Sequence, residues 1–368
     1  MSISIKLTNR QRLYTPPYPT VCLTMMATPI NVSDLLIGYS IKGVPTSILP
    51  PLNFSINKGE MVCLIGPNGC GKSTLLRTLA ALQPSLGGNV LIDSKPLQSY
   101  SSEQLATQIA LVLTDSVKID QMKVKDLVAM GRIPYRRWFH SESSQDVAAI
   151  EHAIHLTQIS SLLEKPINSL SDGERQRCFI AKALAQESPI ILLDEPTAHL
   201  DVSGRIQTMT LLGKLAYEHD KTILISTHEL DFALQTADRI FLMKQEKEIV
   251  EGAPEDIVLS DQIGQTFCNN DIRFDLHTGN FQATPQAHFP ITLMSKGEGY
   301  FTYWTERALV RKGYSLIDQS TVIVTVDERK KIWIIDTPSQ TYSTQNISGL
   351  LDCLKRQFMP QNDPQKVI

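Results

Sequence analysis

The sequence predicts an α/β protein with a parallel-sheet core and a small C-terminal α+β domain. Strand-sized apolar runs alternate with longer helical patterns through the first part of the chain, which is typical of a parallel sheet covered by helices. A second set of strand and helix patterns follows over residues 287–368. The 368 residues suffice for one large and one small domain. The longest apolar runs are strand-sized and too short to cross a bilayer.

The composition narrows the class of protein. An apolar content of 42% and a charged content of 20% are ordinary for a folded protein. The 35 basic and 38 acidic residues give a formal charge of −3, so no basic field favours nucleic acid as a partner. The six cysteines include no Cys-x-x-Cys pair, which argues against a zinc site or a disulfide framework and fits a reducing compartment.

Five apolar runs predict the strands of the core. Between residues 123 and 169 the pattern is helical, so we expect a helical subdomain at about 120–175 as an insertion into the core. Residues 1–27 lack the apolar centre of a signal peptide and predict an irregular tail. The five runs are 61–65, 109–113, 190–193, 222–226 and 239–243.

The C-terminal segment predicts a domain with its own core. Phe301, Trp304 and Ala308 share one helical face, and we interpret Trp304 and Trp333 as core residues. Residues 268–286, rich in Gly, Asn and Asp, predict a linker. Two interpretations stay open: a packing or dimer-stabilising appendage, or a regulatory module that binds a metabolite or inhibits the first domain. The predicted elements are strands at 291–294, 321–326, 331–336 and 341–344, and helices at 301–312 and 348–357.

A glycine-rich loop between a predicted strand and a predicted helix indicates a phosphate-binding site. Its glycines let backbone N–H groups converge on phosphates, and the helix N-terminus adds positive potential. Lys72 is expected to hold the β- and γ-phosphates, and Ser73 is expected to ligate Mg²⁺. The predicted nucleotide-binding loop comprises Gly66, Pro67, Asn68, Gly69, Cys70, Gly71, Lys72, Ser73 and Thr74.

Cys70 lies beside the helix start, which can lower a thiol pKa. Either a reactive thiol or merely a small tolerated residue therefore occupies this position in the loop.

Two carboxylates follow the strand predicted at 190–193. Active sites of open α/β sheets lie beyond the carboxyl ends of the strands, so both acids are expected beside the phosphates. Asp194 suits the Mg²⁺ shell, and Glu195 suits orienting or deprotonating an attacking water.

Further motifs follow in order. Residues 170–174 read Leu-Ser-Asp-Gly-Glu, residues 198–201 read Ala-His-Leu-Asp, and His228 follows a predicted strand. Over about residues 28–257 the chain resembles the nucleotide-binding subunit of an ATP-binding-cassette (ABC) transporter, a P-loop NTPase cassette with a helical signature subdomain. In that family an aromatic residue at the position of Tyr39 stacks on adenine.

The resemblance implies ATP and Mg²⁺ as ligands and a head-to-tail dimer of two copies. Each ATP then lies between the phosphate loop of one copy and the signature of the other, so Ser171, Gly173 and Glu174 meet it in trans. His228 contacts the γ-phosphate in cis, and Asp201 couples the two sites. Lys72, Glu195 and His228 are the expected catalytic residues.

Residues 122–135, with their Gly-Arg-x-Pro-Tyr run, resemble the importer subgroup for iron-siderophore, haem and cobalamin cargo. Asp172 and Glu174 depart from the signature Leu-Ser-Gly-Gly-Gln, and Thr114 replaces the glutamine that usually meets Mg²⁺ and the permease. The resemblance implies transmembrane permease partners and a peripheral position on the cytoplasmic face of the inner membrane. The alternatives are a soluble non-transport ABC ATPase and an ATP-binding regulatory subunit with weak hydrolysis.

Overall fold

The computed structural model describes residues 28–41, 44–113, 121–136, 143–244, 248–269, 271–276, 278–283, 289–297 and 299–358. The tail expected at 1–27 and the candidate Mg²⁺ ligand Thr114 lie outside these residues. The chain divides into two compact units, Met1–Pro254 and Glu255–Ile368. The second unit therefore begins before the linker that was expected at 268–286.

The strands of the first unit are β1 (Ile30–Leu36), β2 (Gly38–Ile41), β3 (Val44–Ser47), β4 (Leu52–Ile56), β5 (Met61–Ile65), β6 (Gly87–Ile92), β7 (Lys95–Pro96), β8 (Ile109–Val112), β9 (Ile190–Asp194), β10 (Thr222–Ser226), β11 (Arg239–Met243) and β12 (Ile249–Gly252). Its helices are α1 (Lys72–Leu79), α2 (Ser102–Gln108), α3 (Val124–Ala129), α4 (Ser144–Thr157), α5 (Asp172–Ala185), α6 (Val202–His219), α7 (Leu230–Thr236) and α8 (Pro254–Leu259), which crosses into the second unit. Among the described residues, no helix combines the length and apolar character that crossing a bilayer requires.

A six-stranded sheet in the order β12-β11-β5-β10-β9-β8 forms the core of the first unit. The strands are parallel except for the edge strand β12, which is antiparallel to β11. Every residue of β5, β9 and β10 is buried, as expected for parallel strands covered on both faces. The carboxyl ends of these three strands therefore meet at one edge of the sheet.

An antiparallel sheet in the order β4-β1-β6-β7 lies beside this core, and β2 pairs with β3 in a separate hairpin. The sequence pattern did not predict these strands. In β1 the alternation of buried and exposed residues breaks where Asp34 adopts a positive φ of 49° and the pairing register shifts.

A buried arginine explains the Gly-Arg-x-Pro-Tyr run. Arg132, 1% exposed, donates from Nε to Asp146 Oδ1 at 2.8 Å and from a terminal nitrogen to the Ala185 carbonyl at 2.8 Å and to Glu187 at 2.6 Å. These bonds join the start of α4 to the end of α5. A Cβ on Gly131 would lie 2.4 Å from the Lys182 carbonyl, so this approach requires glycine.

The second unit also contains α9 (Gln262–Phe267), β13 (Ile272–Asp275), β14 (Asn280–Ala283), β15 (Phe289–Lys296), α10 (Tyr300–Arg311), β16 (Tyr314–Leu316), β17 (Ile323–Asp327), β18 (Ile332–Asp336), β19 (Thr341–Thr344) and α11 (Ile347–Phe358). A mixed sheet in the order β16-β15-β17-β18-β19 carries α10 and α11. The antiparallel hairpin β13–β14 occupies part of the segment expected to be a linker.

The two interpreted core tryptophans differ in burial. Trp333 is 3% exposed, and its Nε1 donates to Thr305 Oγ1 at 2.6 Å. Trp304 is 52% exposed, so its interpretation as a core residue is wrong. The buried face of α10 instead carries Thr305, Ala308 and Leu309.

Candidate functional site

The site lies at the edge where β5, β9 and β10 end. Ser226 at the end of β10 pairs in register with Leu64 of β5 on one side and with Asp194 of β9 on the other. The phosphate loop begins at Gly66, directly after Ile65, the last residue of β5. The parallel register therefore brings the loop, the two carboxylates and the segment of His228 to one place, as the sequence predicts.

The phosphate loop is tightly folded around its lysine. Lys72 is buried, and its Nζ donates to the carbonyls of Gly66 at 2.8 Å and Pro67 at 3.1 Å. A Cβ on Gly66 would lie 2.6 Å from the Met243 carbonyl, so only glycine fits there. Gly71 has a φ of 108° at the point where α1 begins. The loop thus holds a cation at a helix N-terminus, an arrangement that suits phosphate.

Residues at the tip of the loop are more accessible. Asn68 and Gly69 are exposed, and Cys70 is half-buried with its Sγ 3.9 Å from the Met243 sulfur. Burial raises the pKa of the Cys70 thiol above its usual value, and Lys72 lowers it by a smaller amount. The net shift of this pKa is upward, because desolvation of the thiolate outweighs the nearby cation and the backbone N–H groups at the helix start.

Asp194 joins the loop to the neighbouring strands. Its Oδ1 accepts hydrogen bonds from the Ser73 hydroxyl at 3.0 Å and from the Ser226 hydroxyl. Hydroxyl and carboxylate oxygens are ligands that Mg²⁺ prefers, and Mg²⁺ usually takes only one or two protein carboxylates beside substrate phosphates. The Ser73–Asp194 pair therefore fits Mg²⁺. Ser226 was not anticipated, although it ends a strand at this same edge.

Glu195 is held between two neighbouring segments. Its backbone, with a φ of 48°, is in the left-handed region, and its N–H donates to the Ser226 carbonyl at 3.0 Å. Its carboxylate contacts Nε2 of His228 directly. Both side chains are partly exposed, so the pair is open to solvent and to a ligand.

Tyr39 lies beside the start of α1. Its hydroxyl is 2.8 Å from Thr74 Oγ1, and the residue is 51% exposed. A half-exposed aromatic ring fixed at one end next to a phosphate loop provides a surface on which a planar base can stack.

The signature segment begins α5, in the helical subdomain. Ser171 is the N-cap: its hydroxyl accepts from the Glu174 N–H, and the Glu174 carboxylate accepts from the Ser171 N–H at 2.9 Å. These bonds to Ser171 lower the pKa of Glu174. A Cβ on Gly173 would meet no atom within 4 Å, so the fold of the described chain does not require glycine there.

Asp201 caps the next helix, α6, and an ion pair joins the first turn of this helix to the segment of His228. Its carboxylate accepts from the Gly204 N–H at 2.7 Å at the start of α6. Arg205, one turn on, donates to the Leu200 carbonyl at 2.8 Å and pairs with Glu229 at 2.7 Å. Sequence reasoning did not find Arg205, because one arginine in a helical turn has no motif around it.

Each of the two units matches a known protein family. The ABC transporter family model matches residues 49–198, and the iron ABC transporter C-terminal domain model matches residues 290–355. The achromobactin transport ATP-binding protein of Dickeya dadantii is 36% identical over 67% of this chain and 90% of its own length.

The ferric enterobactin transport ATP-binding protein of Escherichia coli is 35% identical over 67% of this chain and 89% of its own length. A solved dimeric ATP-binding cassette in a post-hydrolysis state, bound to ADP and Pi, aligns with a TM-score of 0.53 and 27% identity over 61% of this chain and 98% of that chain.

Proposed function

Because the chain belongs to the ABC transporter family, as an ATP-binding and ATP-hydrolysing subunit, we propose that it energises import of an iron-siderophore, haem or cobalamin-type cargo. One observation carries this proposal: a nucleotide site and a match to the iron ABC transporter C-terminal domain occur in the same chain. The names of the aligned relatives support transport over a soluble, non-transport ATPase.

In this proposal the loop and Asp194 hold the triphosphate. Lys72 neutralises the β- and γ-phosphates, while Ser73 and Asp194 provide the oxygens for Mg²⁺. When bound, Mg²⁺ neutralises charge that develops on the phosphates. Thr114, outside the described residues, remains a proposed further ligand, and Tyr39 offers its ring to adenine.

Glu195 is the proposed base for hydrolysis. Its position at the carboxyl end of β9, one residue beyond Asp194, places a carboxylate where it can orient a water and accept its proton. His228 holds that carboxylate and offers a second polar contact for the γ-phosphate.

The signature is proposed to act on the ATP of a second copy, in a head-to-tail dimer. The open space around Gly173 supports this, since its glycine is not needed within its own chain. The N-terminus of α5 adds positive potential, which suits a phosphate brought by the other copy. Ser171 and Glu174 cap this helix and fix its direction, and Asp201 is proposed to couple the two sites.

An apolar groove is the proposed contact for the permease. It has a volume of about 310 Å³ and is lined by Leu105, Ala106, Leu111 and Gln186 together with Leu82, which is 63% exposed. Exposed apolar surface of this kind is typical of protein contacts. We place the subunit peripherally on the cytoplasmic face of the inner membrane.

The test is co-purification with the membrane subunits that bind this chain, followed by an ATPase assay in proteoliposomes. Addition of the cargo with its binding protein should raise the rate of ATP hydrolysis. The cargo should accumulate on the side of the membrane on which the ATP-binding subunit lies. A Leu82→Glu variant should lose permease binding and keep ATP binding. Two results would reject the importer assignment. One is cargo movement in the opposite direction, and the other is an ATP hydrolysis rate that no tested ferric siderophore, haem or cobalamin changes.

A further inference from the structure

The second unit contains a large cleft that the cassette mechanism does not use. It has a volume of about 1000 Å³ and lies between the hairpin β13–β14 and one face of α10. Ligand pockets typically have volumes of about 300–1000 Å³. The cleft is therefore large enough for a small organic molecule.

One wall of the cleft is an aromatic and cationic face of α10. Trp304, Arg307 and Arg311 follow one another at spacings of three and four residues, so they lie on the same side of the helix. The Arg307 guanidinium lies 5.2 Å from the centre of the Trp304 ring and 5.8 Å from that of Tyr303. This contact holds the guanidinium beside an exposed aromatic surface.

The opposite wall is a polar row on the hairpin. Arg273 donates to Gln282 Oε1 at 3.0 Å, and Gln282 Nε2 donates to Asp275 Oδ2 at 2.7 Å. Phe281, 40% exposed, adds a second aromatic surface. The hairpin thus fixes an arginine and an aromatic ring across the cleft from those of α10.

Three guanidinium groups and two carboxylates, those of Asp275 and Glu306, line the cleft, so its net positive charge favours an anion. Within the described part of the chain, the guanidinium groups of Arg273, Arg307 and Arg311 form no ion pair. The Asp275 carboxylate accepts two hydrogen bonds within its own hairpin, one from the Gln282 side chain and one from the Thr278 N–H at 3.3 Å. Arginine pairs with planar carboxylates and with phosphates through two parallel hydrogen bonds.

We propose that this cleft is a binding site for a small aromatic anion, a planar ring that bears a carboxylate or phosphate group. The ring stacks against Trp304 and Phe281, and the anion meets Arg307 and Arg311. This site is independent of the ATP site, because all of its residues belong to the second unit.

The experiment titrates the full-length protein by calorimetry with 2-naphthoate and, in a separate arm, with 2-naphthyl phosphate; the tighter probe identifies the kind of anion. Naphthalene-2-methanol and cyclohexanecarboxylate test the need for charge and for an aromatic ring. We expect saturable binding of at least one aromatic anion and a dissociation constant at least about tenfold weaker for either neutral or non-aromatic analogue, a loss of about 1.4 kcal/mol.

Trp304→Ala and Arg307→Ala should each weaken binding about tenfold, again about 1.4 kcal/mol. Arg311→Gln gives a third, milder change. The matched controls are Tyr300→Ala, an exposed aromatic on α10 outside the cleft, and Arg329→Gln, an exposed arginine of the same unit. Absence of saturable binding by both probes, or binding that is unchanged in Trp304→Ala and Arg307→Ala, would overturn the proposal.

Discussion

The Asp194 carboxylate accepts a hydrogen bond from the Ser73 hydroxyl at 3.0 Å, although 121 positions separate the two residues in the chain. The parallel register of β5, β10 and β9 creates this contact, because it aligns the carboxyl ends of the three strands. The pairing of the strands alone therefore brings the phosphate loop and the two carboxylates into one site.

Glu195→Gln should abolish hydrolysis and retain ATP binding. The amide keeps the size of the side chain but cannot accept a proton, so turnover should fall by about 10²- to 10⁴-fold, the usual contribution of a general base. Single-turnover kinetics and equilibrium ATP binding measure the two effects separately. Glu103→Gln, an exposed carboxylate in the first turn of α2, is the control. Unchanged turnover in Glu195→Gln would remove Glu195 from the mechanism.

Gly173→Ala should impair hydrolysis without destabilising the chain. A Cβ added at Gly173 would meet no atom within 4 Å, and the φ of this residue is not positive. The free energy of unfolding should therefore rise by about 0.4–1 kcal/mol, because alanine reduces the conformational entropy of the unfolded chain. In the proposed head-to-tail dimer the added methyl group faces the nucleotide of the other copy. ATPase activity should therefore fall on the order of tenfold, or about 1.4 kcal/mol of transition-state stabilisation.

Gly213→Ala in α6 is the matched control for Gly173→Ala, since its Cβ also meets open space. It should produce the same thermal shift and no loss of activity. Equal ATPase rates in the two variants would argue against a role of the signature glycine at the nucleotide.

Asp146→Asn should destabilise the helical subdomain in a pH-dependent way. Hydrogen bonds from Arg132 and Ser143 lower the pKa of Asp146 from 3.8 to about 2. The stabilisation is therefore complete above the unfolded pKa, near 4, and is lost as the pH falls from about 4 to about 2. At pH 7 the variant removes one of the two carboxylates that pair with the buried Arg132 and leaves Glu187, so the cost should be about 1.5–3 kcal/mol.

Urea unfolding at pH 7 and at pH 3 measures this difference between wild type and Asp146→Asn, which should shrink at the lower pH. Glu151→Gln is the control, because Glu151 is an exposed carboxylate in the same helix, α4. A difference that stays constant between the two pH values would show that the carboxylate does not act through its charge.

Cys70 should react slowly with a bulky maleimide at pH 7 and faster above pH 9, because burial raises its thiol pKa. Modification should block ATP hydrolysis, since the thiol lies inside the phosphate loop, and ATP should slow the modification. Mass spectrometry gives the extent of labelling at Cys70, and a Cys70→Ser protein measured against its own baseline should resist inhibition. Full activity of a quantitatively labelled protein would contradict this prediction.

The sequence could predict the elements whose chemistry is local. The run at 61–65 coincides with β5, and the motif of Lys72 fixes both its loop and the start of α1. The sequence did not predict β1, because Asp34 interrupts the alternation of apolar and polar residues along this strand. The bulge at Asp34 depends on the pairing of β1 with β4 and β6, which are distant in the sequence.

Residues whose environment is made by distant segments could not be predicted. Arginine is usually exposed, yet Arg132 is buried because Asp146 and Glu187 converge on it from two helices. Trp304 occupies a position that helical periodicity assigns to the core, but the sheet packs against the adjacent face with Thr305 and Leu309. The cleft beside Trp304 likewise depends on a hairpin in a segment that reads as a linker.

In the proposed mechanism, ATP is hydrolysed at a site that a second copy of this chain completes. The most direct measurement is the specific ATPase activity of the isolated protein as a function of its concentration, with the molar mass determined by light scattering in the same samples. We predict that a 41.1 kDa monomer binds ATP but hydrolyses it poorly, and that specific activity rises as the dimer forms. Full specific activity that stays constant down to concentrations where only the monomer exists would show that one copy suffices for hydrolysis and would rule out the shared site.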